Sequence, residues 1–152
     1  MTRNVAIYCV ALLTIAVTIG TSRADDRNDK SNNIDRLLVQ AQKICPVMGK
    51  DLTKMGGPVK ATIEKETVFL CCKSCFKGKV KREHWKQIQA NLIDAQGKCP
   101  VMDKPLPKTP KSVVVKGRRI YVCCPPCTKK IEAAPDKYLA IVDGYLEANH
   151  RK

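Results

Sequence analysis

The 152-residue chain carries 28 Lys and Arg against 14 Asp and Glu, a net charge of +14, and nine cysteines. That balance favours anionic partners or a solvated lysine surface, but aromatic residues are only 5% of the chain and no arginine–aromatic surface of the base-stacking kind is written, which argues against nucleic acid. Beyond the first apolar run, no stretch approaches the ~20 apolar residues of a membrane-spanning helix.

Residues 1–24 read as a cleavable export signal. "MTRN" supplies a basic start, "VAIYCVALLTIAVTIG" a sixteen-residue apolar middle, and "TSRADD" a small-residue exit at Ala24. The expected destination is the periplasm or the cell exterior, with no membrane span left after cleavage. Cys9 lies inside the apolar run and is not read as a lipid-attachment site. The mature chain from Asp25 keeps eight cysteines and 26 basic residues against 14 acidic ones, a net +12. Its first residues, 25–33, read as a short disordered linker.

From residue 34 a single unit is written twice. "NIDRLLVQAQ" places Ile34, Leu37, Leu38 and Ala41 on one helical face. "KICPVMGKDL" (43–52) follows, then β-rich runs at Val59–Ile63 and Glu66–Leu70, ending in the triplet Cys71, Cys72 and Cys75. "WKQIQANLIDAQ" sets Trp85, Ile88 and Leu92 on one face of a second helix. "GKCPVMDKPL" (97–106) then repeats the cysteine loop, runs at Val113–Val115 and Arg118–Val122 repeat the strands, and Cys123, Cys124 and Cys127 repeat the triplet. Lys116-Gly117 is a two-residue hairpin turn. After Pro135, Tyr138, Ile141, Val142 and Tyr145 recur at helical spacing. Between the lone cysteine and the triplet the first copy is two residues longer, around "KMGGP", as a surface loop tolerates. The fold expected is α+β, with a first cysteine module over 34–95 and a second over 96–149. Units this small need a staple, a metal or a partner.

Closing each hairpin brings Cys45 towards Cys71, Cys72 and Cys75, and Cys99 towards Cys123, Cys124 and Cys127. Thiolates converging at ~2.3 Å bind soft ions such as zinc or copper. Helix N-termini and the nearby Lys73, Lys77, Lys129 and Lys130 favour ionised thiols. Adjacent strand residues face opposite ways, so which of each vicinal pair ligates stays open. Met48 and Met102, at C-x-x-M spacing, are either soft thioether ligands or core packing.

C-P-V-M, a hairpin and C-C-x-x-C before a helix resemble the TRASH/YHS group of small treble-clef metal-binding domains. On Cys45, Cys71 and Cys75, and on Cys99, Cys123 and Cys127, that resemblance implies two tandem heavy-metal modules handling copper or zinc, up to two ions per chain, with a metal-handling protein as a further partner. The gaps of 25 and 23 residues before each triplet are longer than the family's, and the extra Cys72 or Cys124 offers a fourth ligand.

Two other uses of the thiols compete. An exported chain with an even thiol count suits a disulfide framework, which would make this a stapled interaction protein with a basic surface. Bonds between adjacent cysteines are strained, however, and three thiols in five residues resemble a ligand cluster. "CKSC" and "CPPC" have the spacing of thiol–disulfide oxidoreductases, but the wider sheet of such enzymes is not written, and the chain is read as non-catalytic. His84 and His150 have no counterpart in the other copy and read as surface residues.

Overall fold

The structure is a computed structural model that describes residues 23–54 and 57–151. The signal expected over 1–24 therefore lies, apart from its last two residues, outside the described residues. In chain order the elements are α1 (Arg23–Gln42), β1 (Val59–Ile63), β2 (Glu66–Leu70), a 3₁₀ turn (Lys73–Lys77), α2 (Arg82–Gln96), β3 (Lys111–Val115), β4 (Arg118–Val122), α3 (Pro125–Ala133) and α4 (Pro135–His150). The fold is α+β, with two separate two-stranded antiparallel sheets.

Both hairpins turn tightly. Ile63 pairs with Glu66 across Glu64-Lys65, and Val115 with Arg118 across Lys116-Gly117. All four turn residues have positive φ, between 48° and 75°, the left-handed pairing that matches strand twist. Only the second turn holds a glycine, so the first was readable from its flanking strands rather than from its own residues.

Helix α1 differs from expectation. Residues 25–33, read as a linker, are its first turns. Polar composition suggested disorder, but the segment has neither Gly nor Pro to break a helix. Both α1 and α2 end on a left-handed residue, Lys43 and Gly97, each at φ 66°, whose N–H bonds back to Val39 O (2.9 Å) and Ile93 O (2.8 Å).

The buried residues form two clusters, one per copy, but α1 crosses between them. Cys45, Val47, Leu52, Ala61, Val68, Phe69, Leu70, Cys71 and Cys75 make the first. The second gathers Ile120 and Val122 of β4, Ile131 of α3 and Leu139, Val142 and Leu146 of α4, together with Leu37 and Ala41 of α1. The stripe expected on α4, Tyr138 to Tyr145, is thus displaced: Leu139, Val142 and Leu146 fill the core. The tyrosines sit at its edge, where the Tyr145 hydroxyl donates to Asp103 Oδ1 at 2.8 Å.

The two sheets also touch. Thr67 N–H donates to Gly117 O at 2.6 Å, and the buried carboxylate of Glu66 is paired in two places with the Arg119 guanidinium. Among the described residues no helix is long and apolar enough to cross a membrane.

Candidate metal centres

Each lone cysteine sits in a tight turn that repeats bond for bond. Cys45 N–H donates to Lys50 O (2.9 Å) and Gly49 N–H to Cys45 O (2.8 Å). In the second copy Cys99 N–H donates to Lys104 O and Asp103 N–H to Cys99 O, both at 2.8 Å. The turn folds back on itself and the sulfur is fully buried. Burial raises the Cys45 thiol, but the N–H groups of Met48, Cys71 and Val47 outweigh it and hold the group below its ordinary value. Cys99 behaves alike, under the N–H groups of Cys123, Val101 and Met102. N–H groups directed at a sulfur favour its ionised form.

The triplets arrive from the hairpins. Strand β2 ends at Leu70 and β4 at Val122, so the following cysteines have already left the pleat. That departure lets both members of each vicinal pair lie near the third cysteine of the triplet. Cys45, Cys71 and Cys75 put their sulfurs within 4.8 Å of one another, as do Cys99, Cys123 and Cys127. Cys72 and Cys124 stand at the outer edge, 3.6 Å from Cys75 and 3.0 Å from Cys127. Cys72 is exposed and Cys124 half-buried. Among the described residues all eight cysteines are free, and even the 3.0 Å between Cys124 and Cys127 is well beyond the ~2.05 Å of a disulfide.

In the first group the separations fit a cation instead. Sulfurs at ~2.3 Å around a tetrahedral ion lie about 3.8 Å apart. In the first group Cys45–Cys75 is 3.8 Å, Cys71–Cys75 is 3.5 Å and Cys71–Cys72 is 3.9 Å. In the metal-free chain burial pushes the Cys75 thiol up to about 12 and raises Cys127, Cys71 and Cys123 as well. Each group thus sets one thiol held below its ordinary value beside two held above theirs, and the three ionise together most readily around a positive charge. Two cysteine groups can therefore each hold a metal ion.

The outer thiols are lowered, but the leading cause differs from expectation. Cys72 and Cys124 are held down chiefly by the thiols of Cys75 and Cys127, with N–H groups of the following turn assisting, rather than by the flanking lysines. Met48 and Met102 do not pack in the core, both being exposed. His84 is half-buried with Nδ1 3.3 Å from Pro46 O, behind the first cysteine turn.

Two residues were missed from sequence alone: Gln42 and Gln96. Both are buried, and each side chain acts as a piece of β-strand. Gln42 Nε2 donates to Ile44 O (2.9 Å) and Phe69 O (2.7 Å), while Phe69 N–H donates to its Oε1 (2.8 Å). Gln96 Nε2 donates to Lys98 O (2.8 Å) and Tyr121 O (2.6 Å), while Tyr121 N–H donates to its Oε1 (2.9 Å). Each amide ties the residue before the lone cysteine to the residue two before the triplet. The signal was present: both copies carry "AQ" before the cysteine loop, Ala41-Gln42 and Ala95-Gln96.

No protein-family profile, curated protein or solved structure matches the chain.

Proposed function

We propose that this is an exported, non-catalytic protein that binds soft metal ions, zinc or monovalent copper, in two thiolate sites. The observation that carries the reading is the convergence of three sulfurs in each copy, all buried in the first and with only Cys123 half-buried in the second, one of them held below the ordinary thiol value. The same six cysteines are those on which the TRASH/YHS resemblance rests. With Cys72 or Cys124 as fourth sulfur the site suits tetrahedral zinc; with three sulfurs it suits monovalent copper. Storage, detoxification and delivery all use such a site.

The test is anaerobic purification of the mature chain, followed by thiol counting without reductant and elemental analysis. Eight free or metal-protected thiols with up to two ions per chain is the expected result. Full oxidation with no bound metal would instead make the chain a disulfide-stapled interaction protein.

A further inference from the structure

The two copies differ most at the rim of their sulfur groups. Among the described residues four large apolar side chains are exposed, Met48, Phe76, Val80 and Met102, and all four lie beside a cysteine cluster. Three of them belong to the first. Met48 is 54% and Phe76 57% exposed, an unusual state for side chains of this size beside a buried pocket. The segment that carries Phe76 and Val80 is fastened to the cysteine turn that carries Met48. Lys81 N–H donates to Pro46 O at 3.0 Å, and Gly78 lies so close that a Cβ there would overlap Val47 Cγ1.

The same segment is strongly basic. From Cys72 to Arg82 it holds Lys73, Lys77, Lys79, Lys81 and Arg82 and no acidic residue. All five are exposed, and none takes part in an ion pair among the described residues, whereas Lys60, Lys98, Lys116, Arg118 and Arg119 elsewhere do. In the second copy the stretch of equal length, residues 124–134, holds only Lys129 and Lys130, accompanied by Glu132, and no apolar side chain as large as Phe76 is exposed there. The outer thiol follows the same division, Cys72 being exposed and Cys124 half-buried.

We propose that the rim around Cys72, formed by Met48, Phe76, Val80 and the unpaired lysines, is the surface on which an acidic protein docks to take the ion from the first sulfur group. The inference rests on the metal-binding reading and adds a direction and a partner to it. Charge complementarity selects the partner: an unpaired basic collar around an apolar centre matches an acidic rim around an apolar one. Cys72 is the only thiol of its group exposed at that surface, so it is the sulfur an incoming ligand meets. The exchange is ligand substitution without redox change: acceptor thiols lose protons as they bind the ion, and the vacated cysteines regain them. The second group, lacking the collar, retains its ion.

The test uses the full mature chain loaded with zinc and two synthetic acceptor peptides. Each peptide carries one C-x-x-C pair, flanked by Asp and Glu in one and by Lys in the other, and transfer is followed by native mass spectrometry. One ion should move to the acidic peptide about tenfold faster than to the basic one at low salt, the preference shrinking as salt rises. The variant Lys73→Glu/Lys77→Glu/Lys79→Glu/Lys81→Glu should reverse the preference, and Lys129→Glu/Lys130→Glu should leave it intact. Phe76→Ser should slow transfer to the acidic peptide without altering zinc content. Equal rates for both peptides, or equal effects of the two charge-reversal variants, would overturn the proposal. So would retention on phosphatidylserine vesicles that only the four-lysine variant abolishes while transfer rates stay unmoved, which would assign the rim to a lipid surface. A chain that takes up neither zinc nor monovalent copper would defeat the metal-binding reading itself, a distinct result.

Discussion

Replacing Gln96 by Ala tests how the second sulfur group is assembled. The truncation removes two donor bonds to Lys98 O and Tyr121 O and the acceptor of Tyr121 N–H, all in a buried setting. At about 1 kcal/mol net per hydrogen bond, the loss is about 3 kcal/mol. For a chain of this size that lowers the thermal midpoint by about 6–12 °C. The loss is directional, because the broken bonds held the segment of Cys99 against the segment of Cys123. Zinc affinity at the second group should therefore fall about 10–100-fold, as when outer-shell partners of metal ligands are removed, while the first group keeps its affinity. Titration against a chromophoric chelator resolves the two classes of site. Gln42→Ala should give the mirror result, weakening the first group alone. Gln96→Glu is nearly isosteric but loses both donor bonds, and should do no better than Ala. Two wild-type affinities in Gln96→Ala would refute the reasoning.

Lys43→Gly should stabilise the chain by about 1 kcal/mol, because a non-glycine residue at φ 66° bears a left-handed penalty that Gly97 avoids in the other copy; the thermal midpoint reads it. Arg119→Ala leaves Glu66 buried without its cation and should cost about 3 kcal/mol or more, with Glu66→Ala/Arg119→Ala recovering much of it in urea denaturation. The metal-free chain should also lose stability in alkali. Burial raises Cys75 from the ordinary thiol value of 9.0 to about 12, so between those values the unfolded chain has released a proton that the folded chain still holds. Stability is then complete below 9.0 and declines towards about 12, so urea midpoints measured with reductant and chelator should hold up to about pH 9 and fall from there to about pH 11.

Much of the architecture was legible because it was written twice. β1, β2 and β4 lie where alternation and β-branching placed them, and β3 extends its expected run by two residues, to Lys111. The gathering of Cys45 with Cys71 and Cys75 followed from closing a hairpin. What escaped was set by tertiary contacts. Spacing alone could not show that Cys71 and Cys75 turn inwards while Cys72 faces out, because that depends on where the strand ends. The turn after the first triplet is 3₁₀ and that after the second is α-helical. Gly78 stops the former against Val47, whereas Pro125 and Pro126 start the latter at positions that need no N–H donor. Gln42 and Gln96 went unread because a glutamine in a helix ordinarily faces water, and only the structure reveals the strand backbone beside it.

Helix α1 precedes the first cysteine loop in the chain, yet its two buried apolar side chains, Leu37 and Ala41, belong to the cluster that holds Cys99 and Cys127. The duplicated units are thus interleaved rather than strung together. Damage at the amino-terminal end would loosen the remote pocket, and neither half could be cut away intact from the other.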